Sequence, residues 1–166
     1  MSIDKFPTRT LISALLFVTT ALILPGEPQI EIHYIEEVVH LVTFVADGDT
    51  ILLESGESVR YLGVDAPETN HPSRGLECFG LEATERNREL VDGKYVRLEE
   101  DQTDRDRYGR LLRYVFVDGE FVNAVLVEEG YAFSSYYPPD TKYYHELVIL
   151  ELDAEEEGRG LWTACR

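Results

Sequence analysis

Between residues 38 and 64 the chain reads as three apolar, β-branched runs separated by two glycine-marked reversals, and this pattern leaves few folds open. Residues 38–46 (VVHLVTFVA) end at Asp47-Gly48, residues 50–53 end before Ser55-Gly56, and residues 58–64 complete the set. Short runs of this composition, bounded by Gly, Asp and Ser, form strands, and reversals this tight join antiparallel neighbours. A β-meander is expected at the head of the folded region.

The remainder of the chain tells which β-fold this is. A loop dense in Pro, Asn, Ser and Gly (65–75) leads into residues 76–91, where Leu81, Thr84, Asn87, Leu90 and Val91 recur at helical spacing before Asp92-Gly93. Tyr95, Val96 and Leu98 predict a strand. Residues 111–117 and 120–122 flank Asp118-Gly119, a strong two-residue hairpin signal. A short helix is predicted over 122–129, stopping at Gly130, and a final helix over 141–157, stopping at Gly158 and Gly160. Five strands with a helix between the third and fourth is the layout of an OB-fold, a small Greek-key barrel. The expected class is α+β, a five-stranded OB-fold β-barrel with three helices.

Residues 1–26 stand apart. Lys5 and Arg9 precede an uncharged apolar run at 11–24 (LISALLFVTTALIL), and Pro25-Gly26 stops it. A signal peptide has a basic start and an apolar stretch of about 7–15 residues, whereas a full membrane span needs roughly 20. The segment is read as a signal peptide or an N-terminal membrane anchor through 11–24, residues 27–37 as a linker, and 38–166 as the domain. An extracytoplasmic location follows, secreted or membrane-anchored, and the domain is expected to be a monomer. Cys78 and Cys165 fit export: in an oxidising compartment they can form one bridge, and otherwise they are two free thiols.

Charge restricts the function classes. Thirty-two acidic residues (Asp+Glu 32) face Lys+Arg 15, a net charge of -17. Proteins that hold polyanions by charge alone show a basic face, so composition argues against tight non-specific nucleic-acid binding. It allows a metal site and a few well-placed arginines. Acids do gather where the chain turns: Asp49 lies in DGDT, and Asp65 and Glu68 lie in DAPE at the end of the third run. Carboxylates at the ends of adjacent strands can converge on a hard dication, which takes several oxygen ligands. Glu68 can then act as a base on a nearby water. Taken singly, each acid reads more readily as turn chemistry or solvated surface than as a functional group. Arg60 sits inside an apolar strand, on the face opposite Val59 and Tyr61, where a charge needs a partner. Arg110 follows Tyr108-Gly109. A planar guanidinium makes two-point contacts to phosphate that lysine cannot match.

DGDT at 47–50, VRYLGVDAPE at 59–68, RYGR at 107–110, VDGEFVNAVLVEEGYA at 117–132 and GLW at 160–162 occur in that order with compatible spacing. In these pieces the chain resembles the staphylococcal (micrococcal) nuclease, or thermonuclease, family. The resemblance implies a calcium-dependent nuclease that hydrolyses phosphodiester bonds of DNA and RNA by water attack and leaves 3′-phosphate ends. It implies that the carboxylates of Asp49 and Asp65 and the carbonyl of Ala66 bind Ca2+. Glu68 is implied as general base, and Arg60 and Arg110 as the groups that hold the phosphate in the transition state. Arg107 keeps a positive charge beside the substrate, and Tyr108 and Tyr136 match positions flanking the nucleotide. The alternative is a catalytically silent OB-fold module that binds nucleic acid or calcium. A silent copy is expected to have lost one of Asp49, Arg60, Asp65, Glu68 or Arg110, and all five are present.

Overall fold

The computed structural model describes residues 38–69 and 75–165. The sequence readings on 1–37, leader and linker alike, lie outside the described residues. Three strands open the domain: β1 (Val39–Asp47), β2 (Thr50–Leu53) and β3 (Ser58–Tyr61). β1 is long and serves two partners, β2 along its second half and β5 (Tyr95–Glu99) along its first. Its register with β2 shifts twice, between Val42 and Phe44 and between Val45 and Asp47. Such bulges bend and twist a strand. They bring Val42 and Val45, three apart rather than two, both into the core.

β6 (Leu111–Val117) pairs antiparallel with β5 and parallel with β3, where Arg60 faces Leu112. The β3–β6 pairing closes the ring β1-β2-β3-β6-β5, so the barrel has no open edge between its first and last strands. The five-stranded mixed barrel expected from the sequence is what forms. Asp118 and Gly119, both at positive φ (51° and 85°), turn β6 into β7 (Glu120–Phe121), as the hairpin signal predicts.

Inside the barrel sit Ile51, Val59, Val96 and Val115, all fully buried, and helix α1 (Gly80–Val91) caps one end through Ala83, Leu90 and Val91. Helix α2 (Val122–Glu128) buries Val122, Leu126 and Val127 and packs on α3 (Tyr144–Glu157). Two buried amides fasten these layers. Asn87 donates to the Asp47 carbonyl at 2.9 Å and accepts from the Tyr61 hydroxyl at 2.9 Å. Asn123 donates to the Leu62 carbonyl at 2.8 Å and accepts from the Val115 N–H at 2.9 Å.

Four details differ from the sequence expectation. The third strand stops at Tyr61, because a turn at Leu62-Gly63 (Gly63 φ 74°) re-aims the chain. Beyond it β4 (Val64–Asp65) pairs with an unexpected strand, β8 (Phe133–Ser134). The first helix starts at Gly80, not at residue 76, because Phe79 takes the left-handed conformation (φ 69°) and cannot continue a helix. The last long helix starts at Tyr144, and a fourth, short helix α4 (Leu161–Ala164) follows Gly160, so the helices number four among the described residues.

Cys78 and Cys165 form a disulfide with Cα atoms 5.8 Å apart, tying the end of the chain to the segment before α1. The bond spans 87 residues. Closing so long a loop in the unfolded chain is worth about 4–5 kcal/mol in the chain-entropy treatment. Replacing both cysteines by serine should therefore lower the unfolding free energy in urea by several kcal/mol. A loss below about 1 kcal/mol would show that the unfolded chain is already compact there.

Candidate active site

Two turns on one end of the barrel build the site. In the β1–β2 turn, Asp47 accepts a hydrogen bond from the Asp49 N–H at 3.0 Å, which fixes the turn and points Asp49 inward. Gly48 makes the turn possible. A Cβ there would stand 2.5 Å from the Ala66 Cβ and 3.0 Å from the Ala83 Cβ, so the turn is pressed between the Asp65-Ala66 segment and α1. Asp49 is 5% exposed. Its Oδ2 accepts from the Ala66 N–H at 2.7 Å and ion-pairs with Arg60 Nη1, while its Oδ1 accepts from the Thr50 hydroxyl at 3.2 Å.

Arg60 projects from β3 away from the core-facing Val59 and Tyr61, as alternation requires. Its Nη2 donates to Asp65 Oδ1 at 2.8 Å, so one guanidinium bridges Asp49 and Asp65. Burial works against the Arg60 charge, but Asp49, Asp65 and Asp47 outweigh it and hold the guanidinium above its ordinary pKa. Burial pushes the Asp49 carboxyl up to about 7, because Arg60 offsets only part of the desolvation and Asp47 adds repulsion. Glu68 is half-buried and its carboxyl is also raised, first by burial and then by Asp47; Arg60 pulls the other way, while Asp65 and Glu77 add to the rise. Five acids and one arginine thus share a single electrostatic neighbourhood.

The turn that leads into β6 carries Arg110. Asp106, for which the sequence predicts no role, organises it. Its Oδ1 accepts from the N–H groups of Tyr108 (2.9 Å) and Arg110 (3.0 Å), and its Oδ2 takes the Arg110 Nε at 2.7 Å. Burial raises the Asp106 carboxyl, but these bonds together hold it below the usual carboxylate range. Arg110 Nη1 lies 3.5 Å from the Thr50 hydroxyl, which itself bonds Asp49, so a short polar chain links the two arginines. An acid placed four residues before an arginine and three before a glycine was the available signal.

Arg60 and Arg110 both line a cleft of about 400 Å³, with Tyr108, Arg107 and Tyr137 around it. Tyr108 is 69% exposed, and the Arg107 guanidinium sits 4.7 Å from its ring centre while bonding its hydroxyl at 2.6 Å. The structure differs from the sequence expectation at one aromatic position. Tyr137 lines the cleft, whereas the Tyr136 ring packs on Tyr144 with centres 4.9 Å apart. The Tyr-Tyr pair gives no local cue to which ring faces inward.

The donors suit a hard cation in kind, though not in number. Among the described residues no three acids, histidines or cysteines stand together as a complete ligand set. Asp49 and Asp65 offer carboxylate oxygens, and the buried Asp49 is under-compensated by Arg60 alone, which a dication would correct. The remaining ligands of such an ion would be the Ala66 carbonyl, water and substrate oxygen.

Residues 58–164 match the family described as staphylococcal nuclease homologue. The chain belongs to that family. It is 43% identical over 122 residues to endonuclease YncB of Bacillus subtilis, covering 70% of this chain and 58% of the relative. The same identity and 70% of this chain relate it to the SPbeta prophage-derived endonuclease YokF of the same organism, of which 41% is covered. The chain thus spans about half the length of these curated relatives. To the thermonuclease of Staphylococcus intermedius it is 36% identical over 126 residues, covering 74% of this chain and 75% of the relative.

Because the Gly48 backbone has no room for a methyl group, Gly48→Ala should displace the turn that carries Asp49. Overpacking of this kind costs typically about 1–3 kcal/mol. Urea unfolding of the variant checks it; unchanged stability would mean that the turn and α1 move apart freely.

Proposed function

We propose that this protein is a metal-dependent phosphodiesterase that cuts DNA and RNA by water attack, with calcium as the ion and 3′-phosphate ends as product. The observation that carries this reading is the convergence of Asp49, Asp65, Arg60 and, through Thr50, Arg110 beside one cleft. Relatives named endonuclease and thermonuclease support it.

In this reading Asp49, Asp65 and the Ala66 carbonyl hold the ion, which when bound would neutralise charge on a phosphate oxygen. Glu68 takes the proton from the attacking water, and the burial that raises its pKa makes its carboxylate a stronger base. Arg60 is engaged here by the two carboxylates assigned to the ion. Released from them, its guanidinium can make two bonds to a phosphate and stabilise charge as the fifth oxygen approaches. Arg110 lines the same cleft as Arg60, its Nε fixed by Asp106 and its Nη1 3.5 Å from the Thr50 hydroxyl. Tyr108 supplies a face for a base, and Arg107 a charge beside it. Tyr137, which lines the cleft, takes the nucleotide-flanking place expected of Tyr136.

The same proposal includes export. The basic start and apolar run at 11–24 support a signal peptide or anchor, with 27–37 as linker and 38–166 as the working domain. The Cys78–Cys165 disulfide supports an oxidising compartment.

Two measurements test this. Hydrolysis of denatured DNA by the purified protein should require calcium and stop with a chelator, and undiminished cutting in chelator rejects the metal assignment. Glu68→Gln should lower kcat by a factor of about 100 or more, the range of a lost general base. Turnover equal to that of the unaltered protein would remove Glu68 from that role.

A further inference from the structure

A base abstracts a proton from water only if its carboxylate is aimed at that water, and displacements of an ångström are costly in rate. Glu68 lies beyond β4, on a stretch that belongs to no strand or helix, so the barrel ladder does not hold it. Its main chain is gripped from elsewhere. Glu77 Oε2 accepts a hydrogen bond from the Glu68 N–H at 3.0 Å, and the Glu77 N–H donates to the Glu68 carbonyl at 2.9 Å. Both peptide groups of Glu68 are therefore engaged by one residue, nine positions away in sequence.

Glu77 is in turn anchored by its neighbours Cys78, Phe79 and Gly80. Cys78 is bonded to Cys165. Phe79 adopts a left-handed backbone (φ 69°) and stacks on Tyr131 with ring centres 5.3 Å apart. A bulky residue persists at positive φ only where its surroundings over-determine it. Gly80, the first residue of α1, comes so near that a Cβ would meet the Glu68 carbonyl oxygen at 2.7 Å and the Pro67 oxygen at 3.1 Å. Four consecutive residues thus contribute a bond, a covalent tether, a strained turn and a close backbone approach, and two of these four contacts fall directly on Glu68.

We propose that Glu77 is a positioning residue for Glu68, fixing its main chain so that the carboxylate keeps its place beside Arg60 and Asp65. The proposal rests on the reading of Glu68 as the proton acceptor. A side chain that only stabilised the fold would affect melting and leave the balance of kcat and KM alone.

The test compares two substitutions of similar size. Glu77→Gln retains an oxygen able to accept from the Glu68 N–H; Glu77→Met does not. With Tm measured on each, Glu77→Met should lower kcat about tenfold or more with KM changed less than about twofold, and Glu77→Gln should stay within about twofold of the unaltered protein. Combined with Glu68→Gln, Glu77→Met should add less than about a twofold further loss, since two residues acting through one group are not additive. Equal kcat for the Met and Gln variants, or the same loss in the Glu68→Gln background, overturns the proposal. Hydrogen exchange of the Glu68 amide reads the hold without any turnover. It should quicken at least about tenfold in Glu77→Met and not in Glu77→Gln, and unchanged exchange overturns the proposal by itself. If Glu68→Gln cuts at the normal rate while the exchange result holds, the assignment of Glu68 as base has failed and the grip of Glu77 on its main chain stands.

Discussion

A carboxylate taken out of water must find compensation, and the way Asp49 finds it organises this end of the molecule. Its two oxygens accept from the Ala66 N–H and the Thr50 hydroxyl and face the Arg60 guanidinium. Each partner lies on a different piece of chain: the residue just past β4, the start of β2, and β3 itself. One buried side chain therefore joins three segments that the sequence keeps up to 17 residues apart. The compensation is incomplete, as the elevated Asp49 pKa of about 7 records. A site built for packing alone would replace such an acid with an apolar residue, because buried ion pairs rarely out-stabilise well-packed carbon. A charge kept at a cost, with arginine and acids arranged around it, marks a place that handles charge.

The barrel supplies the rigidity this requires. β3 pairs antiparallel with β2 and parallel with β6, so Arg60 is held from both sides, opposite Thr50 and Leu112. Arg110 immediately precedes β6, and Asp65 ends β4 just past the Gly63 turn. The closing strand pair thus brings the two arginines to one cleft. Functional groups set at strand ends inherit the precision of the ladder while keeping access to solvent. The two buried amides extend the same logic inward, Asn87 holding the turn that bears Asp49 and Asn123 holding β6 against the Leu62 turn.

What was legible in the sequence was whatever local chemistry dictates. Gly48, Gly56 and Gly119 announced the reversals, alternation put Arg60 opposite Val59, and helical spacing picked out Thr84, Asn87, Leu90 and Val91 of the buried face of α1, though Leu81 from the same pattern is exposed. Pairings across long separations left no such trace. The β4–β8 ladder joins Asp65 to Phe133, and neither short segment carries a strand pattern of its own. Tyr136 and Tyr137 are chemically identical neighbours, and only the path of the folded chain selects which one faces the cleft. Glu77 was indistinguishable from the many surface acids until its bonds to Glu68 were visible, and Asp106 offered only its spacing to Gly109 and Arg110. In a chain with 32 acidic residues, composition hides the few that work.

That same acidity bears on how a polyanion could be held. A net charge of -17 creates a field that draws cations toward the surface and repels phosphate chains at a distance. Salt confines that repulsion to within about 8 Å at physiological ionic strength, so it acts on a strand already close to the surface. Contact depends on the cleft, where Arg60, Arg107 and Arg110 stand together. Nearby cations are already committed: Arg105 pairs with Glu57 at 2.7 Å, and Arg113 pairs with Asp104 at 2.5 Å. Arg107 has no carboxylate partner among the described residues and lies along Tyr108 instead. Among the described residues the cleft thus gathers three arginines, Arg60 and Arg110 held by acids and Arg107 without one. Under the proposed function, a strand would be held at the phosphates that reach this cleft, not along a basic track.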